Sequence, residues 1–244
     1  MTQQEQDLRI QLAACYRIFD HLGWGELIFN HITVKIPGDE HHFLINPYGL
    51  HYSEVKASNL VKVDIEGNII GESEYRVNPA GIVIHTAIHA ARPDVHCIAH
   101  THTTEGMAVA CNQEGLRTDN FYSALLHNRI AYHDFEGITV EDDEKPRLIN
   151  NLGDKRLAIL RNHGLLTCGR SIPEAFVNLW TLQRACEVQV ATDATGRGSI
   201  PVGEHILNKG EKLMAKQSSG HPAGELEFNA MVRLIEKADP SYKD

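Results

Sequence analysis

Val95-His96-Cys97-Ile98-Ala99-His100-Thr101-His102, residues 95–102, is the stretch on which the reading of this chain turns. Its first half is apolar and partly β-branched, the composition of a buried strand. His100 and His102 stand two apart at its end. On a strand such positions share a face, about 7 Å apart along the backbone, so two imidazoles can converge on one ion. Leu157-Ala158-Ile159-Leu160 reads as a second strand and leads through Arg161-Asn162 to His163-Gly164, where the glycine is expected to mark a strand breaking into a turn. Three histidines at the ends of two adjacent strands leave part of a metal's coordination shell open, the layout of a catalytic rather than a structural site. A lone buried histidine is more often a hydrogen-bonded core residue, and the chain has 15 of them. The joining of His-x-His to a strand ending in Asn-His-Gly is what favours metal binding.

The remaining composition narrows the classes. With 244 residues, 42 % hydrophobic and 23 % charged, the chain has ordinary globular content. A net charge of −9 argues against a nucleic-acid surface. No apolar run approaches the roughly 20 residues of a membrane helix, and Met1 to Asp7 lacks the basic and apolar segments of a signal peptide. The five cysteines (Cys15, Cys97, Cys111, Cys168, Cys186) are odd in number and contain no Cys-x-x-Cys pair. Free thiols, a cytoplasmic setting and no membrane or nucleic-acid partner are expected.

Patterning predicts helices over 5–22, 53–59, 79–91, 103–110, 142–152, 173–194, 206–216 and 225–237, and strands over the later part of 25–36, 41–45, 61–65, 95–99, 130–133, 157–160 and 165–168. Residues 121–126 fit helix and strand equally. Ser171-Ile172-Pro173-Glu174 has a helix start's cap, first-turn proline and third-position glutamate. There is no repeat, low-complexity tract or linker, so residues 1–244 are expected to form a single domain, a mixed sheet covered by helices on both faces.

The chain resembles the class II aldolase/adducin family over roughly Leu8 to Thr195. The carrying stretches are Ala90-Ala91-Arg92-Pro93-Asp94 with His100-Thr101-His102, Leu160-Arg161-Asn162-His163-Gly164, and the long helix with Glu174-Ala175-Phe176 and Ala185-Cys186-Glu187-Val188-Gln189. The wording is nearest to adducin heads and bacterial proteins similar to them. The resemblance implies an α/β fold, a three-layer α/β/α sandwich with a mixed, mostly antiparallel central sheet. It also implies a homotetramer with sites at subunit interfaces, and the long helix after Pro173 is expected to help form the packed surface. In the family's sugar-phosphate aldolases three histidines hold zinc, and they match His100, His102 and His163. The catalytic glutamate of those enzymes falls at Gly81, two phosphate-binding serines at Pro79 and Ala80, and the Gly-Asn phosphate turn at Phe29-Asn30. Only Asn30 remains of these, as a substrate-binding candidate.

The expected cofactor is a divalent metal, Zn²⁺ first, with Fe²⁺, Mn²⁺ or Co²⁺ as alternatives. An open three-histidine site suits Lewis-acid chemistry on a chelating hydroxy-ketone or keto-acid. The expected function is therefore a metal-dependent lyase, cleaving by retro-aldol reaction or decarboxylation a small, unphosphorylated hydroxy- or keto-acid. The alternatives are another metal enzyme on this scaffold (epimerase, dehydratase, iron oxygenase) and a non-catalytic adducin-like interaction module. Acid–base candidates are Glu105 and Tyr242, the latter because family members can use a C-terminal tyrosine from a neighbouring subunit. Glu72, Glu74, Tyr122 and His127 are weaker ones, and His85 reads as core or as support behind the ligands.

Overall fold

The computed structural model describes residues 1–137, 144–216 and 220–244. Its centre is a seven-stranded sheet in the order β3-β2-β1-β4-β7-β6-β5, built from β1 (His31–Ile36), β2 (Asp39–Ile45), β3 (Val61–Asp64), β4 (Cys97–Thr101), β5 (Ile130–His133), β6 (Leu157–Leu160) and β7 (Gly164–Gly169). Only β5 and β6 run parallel; every other pair is antiparallel. The expected three-layer α/β/α architecture is the one observed.

Strand alternation builds the two outer layers. Cys97 and Ala99 of β4, Leu157 and Ile159 of β6 and Ile32, Val34 and Ile36 of β1 join one apolar cluster. It is completed by α1 (Gln3–His21) and α6 (Ile172–Ala194), with α3 (Thr104–Ala110), α4 (Phe121–Leu125) and α8 (Glu225–Ala238) around them. The intervening residues, Ile98, Ala158, Leu160, Leu166 and Cys168, pack on α2 (Pro79–Ala91) and α5 (Lys145–Leu152). A smaller cluster on that same face joins Phe43, Ile45, Val61 and Val63 to Ile82 of α2. The seventh helix, α7 (Glu204–Lys216), lies against α4.

Local chemistry accounts for the boundaries. Ser171 accepts from the Glu174 amide at the start of α6, and Gly23 takes φ +75° after α1. Asn120 and Ser123 cap each other's ends, which settles 121–125 as helix. Residues 53–59 are a correction. A single 3₁₀ turn spans Tyr52–Glu54 and no helix follows, because tertiary partners claim its backbone: Arg17 Nε donates to the Val55 carbonyl (3.0 Å) and the Ala57 N–H to the Tyr242 carbonyl (2.9 Å). The helix expected from Asp142 begins at Lys145, and positions 142 and 143 lie outside the described residues. The apolar face of the long α6 is buried within the chain, from Phe176 through Leu179 and Leu182 to Cys186.

The α2 face carries a polar seam. Thr33 Oγ1 lies 2.8 Å from His85 Nδ1 and 2.8 Å from His89 Nε2, and His89 Nδ1 reaches the Val95 carbonyl at 3.3 Å. Burial pushes His89 from 6.5 down to about 3 and His31 likewise to about 3, so both stay neutral in the folded chain. The unfolded chain takes up these protons near pH 6.5, and the native state refuses them until about pH 3. Stability is thus full above pH 6.5 and declines as pH falls through that window. Denaturant titration of metal-free protein at pH 7.5 and 5.5 is expected to show a difference of roughly 1.4 kcal/mol for each such histidine, most of it lost below pH 6.5. A flat profile would contradict neutral burial.

Candidate metal centre

β4 pairs antiparallel with β7, Thr101 opposite Leu165 and His100 opposite Leu166. The first residue of β7 explains the Arg161-Asn162-His163-Gly164 sequence. A Cβ on Gly164 would stand 2.3 Å from the Thr101 carbonyl oxygen, so only glycine lets the two strands approach there. The turn before it needs a left-handed residue, supplied by Asn162 at φ +56°, a residue type that tolerates that conformation. Gly164 thus opens a strand instead of breaking one, and the turn is Arg161–His163.

This packing brings His100, His102 and His163 together, with one ligand nitrogen from each within 4.8 Å of the others. Their ring centroids form a near-equilateral triangle of 4.6, 4.8 and 4.9 Å. His100 is buried, while His102 and His163 are half-buried, so the cluster opens to one side. His100 Nδ1 lies 2.9 Å from the Leu165 carbonyl. A carbonyl only accepts, so Nδ1 carries the hydrogen and Nε2 is bare, 2.8 Å from His102 Nε2. Burial lowers all three pKa values, His163 to about 4, and the Glu26 carboxylate offsets part of the effect at His102. Three neutral imidazoles, with the His100 tautomer fixed by the Leu165 carbonyl, form a donor set that fits a divalent Zn²⁺, Fe²⁺ or Co²⁺ ion.

Asn30, expected at the substrate, is buried and committed to the protein. Its Oδ1 accepts the His102 N–H (3.0 Å) and its Nδ2 donates to the Trp24 carbonyl (2.7 Å). It holds the end of β4 against the loop from Trp24 to Asn30. Glu105 sits on α3 with its carboxylate taking a bond from Gln183 Nε2 on α6 (3.2 Å), in the layer opposite α2. Tyr242 is buried among the α1 and α8 side chains. Within the chain, neither is brought to the histidines. Tyr122 packs edge-on to Trp180 of α6, and Glu72 and Glu74 are exposed in the loop before α2.

Sequence reasoning missed His31 and Glu26. His31 is paired with His100 across β1 and β4, with ring centroids 5.1 Å apart, and its ring lies tilted at 51° to that of His85, centroids 4.3 Å apart. Across-strand partners follow from register, which a one-strand pattern does not carry. His31 also explains Gly81: a Cβ there would stand 2.8 Å from three atoms of the His31 ring.

The chain belongs to the class II aldolase and adducin N-terminal domain family, whose model matches residues 10–190. Alpha-adducin of Rattus norvegicus is 44% identical over 95% of this chain, which spans 33% of that protein. The crystal structure of an aldolase II superfamily protein from Pseudomonas syringae superposes with a TM-score of 0.94 at 40% identity, covering 100% of this chain and 98% of that one. L-fuculose 1-phosphate aldolase from Glaciozyma antarctica PI12 gives a TM-score of 0.85 at 32% identity, covering 98% and 93%.

Gly81→Glu is expected to destabilise the fold by about 1–3 kcal/mol through overpacking against His31. His31→Ala/Gly81→Glu should be less destabilised than the two single changes summed, since one vacates what the other fills. Strict additivity in denaturant titrations would show that the two side chains do not compete for one space.

Proposed function

We propose that this protein is a metal-dependent carbon–carbon lyase acting on a small, unphosphorylated hydroxy- or keto-acid, by aldol cleavage or decarboxylation. The observation that carries this reading is the convergence of His100, His102 and His163 on one point with an open side. A divalent ion held there, Zn²⁺ first, supplies Lewis-acid polarisation of two substrate oxygens. Leu165 and Asn30 hold two of the three ligands in place, through His100 Nδ1 and the His102 N–H. The 32% identity to an enzyme named L-fuculose 1-phosphate aldolase supports lyase chemistry.

The start of α2 argues against a phosphate. Pro79 has no N–H to give. The Ala80 N–H goes to Asn78 Oδ1 (3.2 Å) and the Ile82 N–H to the Asn78 carbonyl (3.1 Å). That leaves the Gly81 N–H, next to the imidazole of His31.

Protein reconstituted with Zn²⁺, Fe²⁺, Mn²⁺ or Co²⁺ and given a panel of hydroxy- and keto-acids is expected to release aldehyde or CO₂ from an unphosphorylated member. His100→Ala/His102→Ala should lose both bound metal and turnover. A sugar phosphate turned over more than about tenfold faster than its dephosphorylated form, about 1.4 kcal/mol in barrier, would overturn the substrate reading. A second reading, an adducin-like interaction module without catalysis, is favoured by the 44% identity to alpha-adducin. Stoichiometric metal with no turnover of any panel member would establish it over the first.

We also propose a homotetramer. Leu27, Phe121 and Ile200 are 71%, 72% and 86% exposed in the single chain, apolar surface that association would cover. Light scattering at micromolar concentration is expected to give four times 27.2 kDa, and a monomer mass would refute it.

A further inference from the structure

His31 and His85 leave two buried imidazole nitrogens, His31 Nε2 and His85 Nε2, without a hydrogen-bond partner in the chain. Both rings are fully buried or nearly so, and an unpaired buried polar atom is costly unless a ligand completes it. Backbone carbonyls fix what those nitrogens are. His31 Nδ1 faces the Phe29 carbonyl at 3.4 Å. The carbonyl only accepts, so Nδ1 holds the hydrogen and Nε2 is a bare lone pair. The seam behind it runs the same way. His89 Nδ1 donates to Val95, so His89 Nε2 accepts from the Thr33 hydroxyl, whose oxygen accepts from His85 Nδ1. His85 Nε2 is therefore bare as well.

His31 lies beside the triad. It stands opposite His100 in register, their ring centroids are 5.1 Å apart, and it lies within the field of His102 and His163. Its ring rests over Gly81, in the space any other residue's side chain would take. A lone pair in that position attracts a proton-bearing oxygen and repels a bare one.

We propose that His31 Nε2 accepts a hydrogen bond from a hydroxyl of the ligand seated at His100, His102 and His163. The site then selects α-hydroxy acids and hydroxy-carbonyl compounds over chelators whose two oxygens are both bare. The proposal rests on the metal-binding reading above and deepens it by naming the substrate class: His31 distinguishes a hydroxy-acid from the corresponding oxidised acid.

The test compares glycolate with oxalate, two chelators of similar size that differ in the hydroxyl proton. Their affinities are measured calorimetrically on the Zn²⁺-reconstituted full chain, with zinc content determined separately. His31→Phe keeps a ring and removes the lone pair. It is expected to weaken glycolate about tenfold, the worth of one such bond, with oxalate unchanged within about twofold. His31→Gln, which retains an acceptor oxygen, should recover part of the glycolate preference. A structural role alone would move both probes together. Equal factors for the two probes in His31→Phe, or glycolate failing to bind the zinc-loaded wild type, overturn the proposal while the metal site stands. A wild type that takes up no zinc overturns both readings. Should His31→Phe fail to fold, ¹⁵N-histidine spectra of the wild type decide. The His31 Nε2 resonance moves toward the hydrogen-bonded position with glycolate and not with oxalate, and identical behaviour with both refutes the assignment.

Discussion

The contact on which the site depends is the approach of the Thr101 carbonyl to Gly164, where a single added carbon would stand 2.3 Å from the oxygen. It lets β4 stay paired with β7 to its last residue, Thr101 opposite Leu165. The turn carrying His163 then lies beside the end of β4, where His100 and His102 project. A one-residue slip between these strands would send the histidines to the opposite faces of the sheet. The second restraint comes from the other side, where Asn30 grips the His102 N–H. The triad is therefore positioned by main-chain geometry on both sides, and its side chains need only point outward from it.

Much of this was legible in the sequence. The alternation around His100 and the Asn-His-Gly run were sufficient to name the three histidines that converge, because local periodicity and turn chemistry determine where a strand ends and which face it shows. The failures have a common cause. Residues 53–59 read as a helix, but Arg17 and Tyr242, far away in sequence, take their backbone groups. Asn30 reads as a substrate candidate through the family resemblance, and Glu105 as an acid–base candidate because it follows the His-x-His run closely in sequence. In the structure Asn30 spends its polar atoms on the His102 N–H and the nearby Trp24 carbonyl, and Glu105 spends its carboxylate on Gln183 of a distant helix. Proximity along the chain indicates where a side chain starts and not what it meets.

Gly81 shows the same limit from the other direction. In the sequence it stands as a missing carboxylate. In the structure it is the space that admits the His31 ring. Position 81 lies on α2 and position 31 on β1, and the packing of that helix on the sheet brings one against the other. The absent carboxylate and the added imidazole thus form one arrangement, and a site that looks depleted by its own helix is refilled from the sheet.

The polar seam then acquires a direction. His85, Thr33 and His89 interrupt an otherwise apolar face, separating the cluster around Ile84, Ile88 and Ile98 from that around Phe43 and Val63. Burying such groups is tolerable only when their bonds are made. The Val95 carbonyl at one end can only accept, so every hydrogen in the seam points toward it. A file whose hydrogens all point one way must end in a lone pair at the other, and that end is His85 Nε2, on a ring packed against His31 beside the triad. The protein cannot satisfy these lone pairs by a tautomer change without opposing a carbonyl to a lone pair at Val95 or at Phe29. The demand for a proton-bearing group at the site is thus set by backbone oxygens at its far edge.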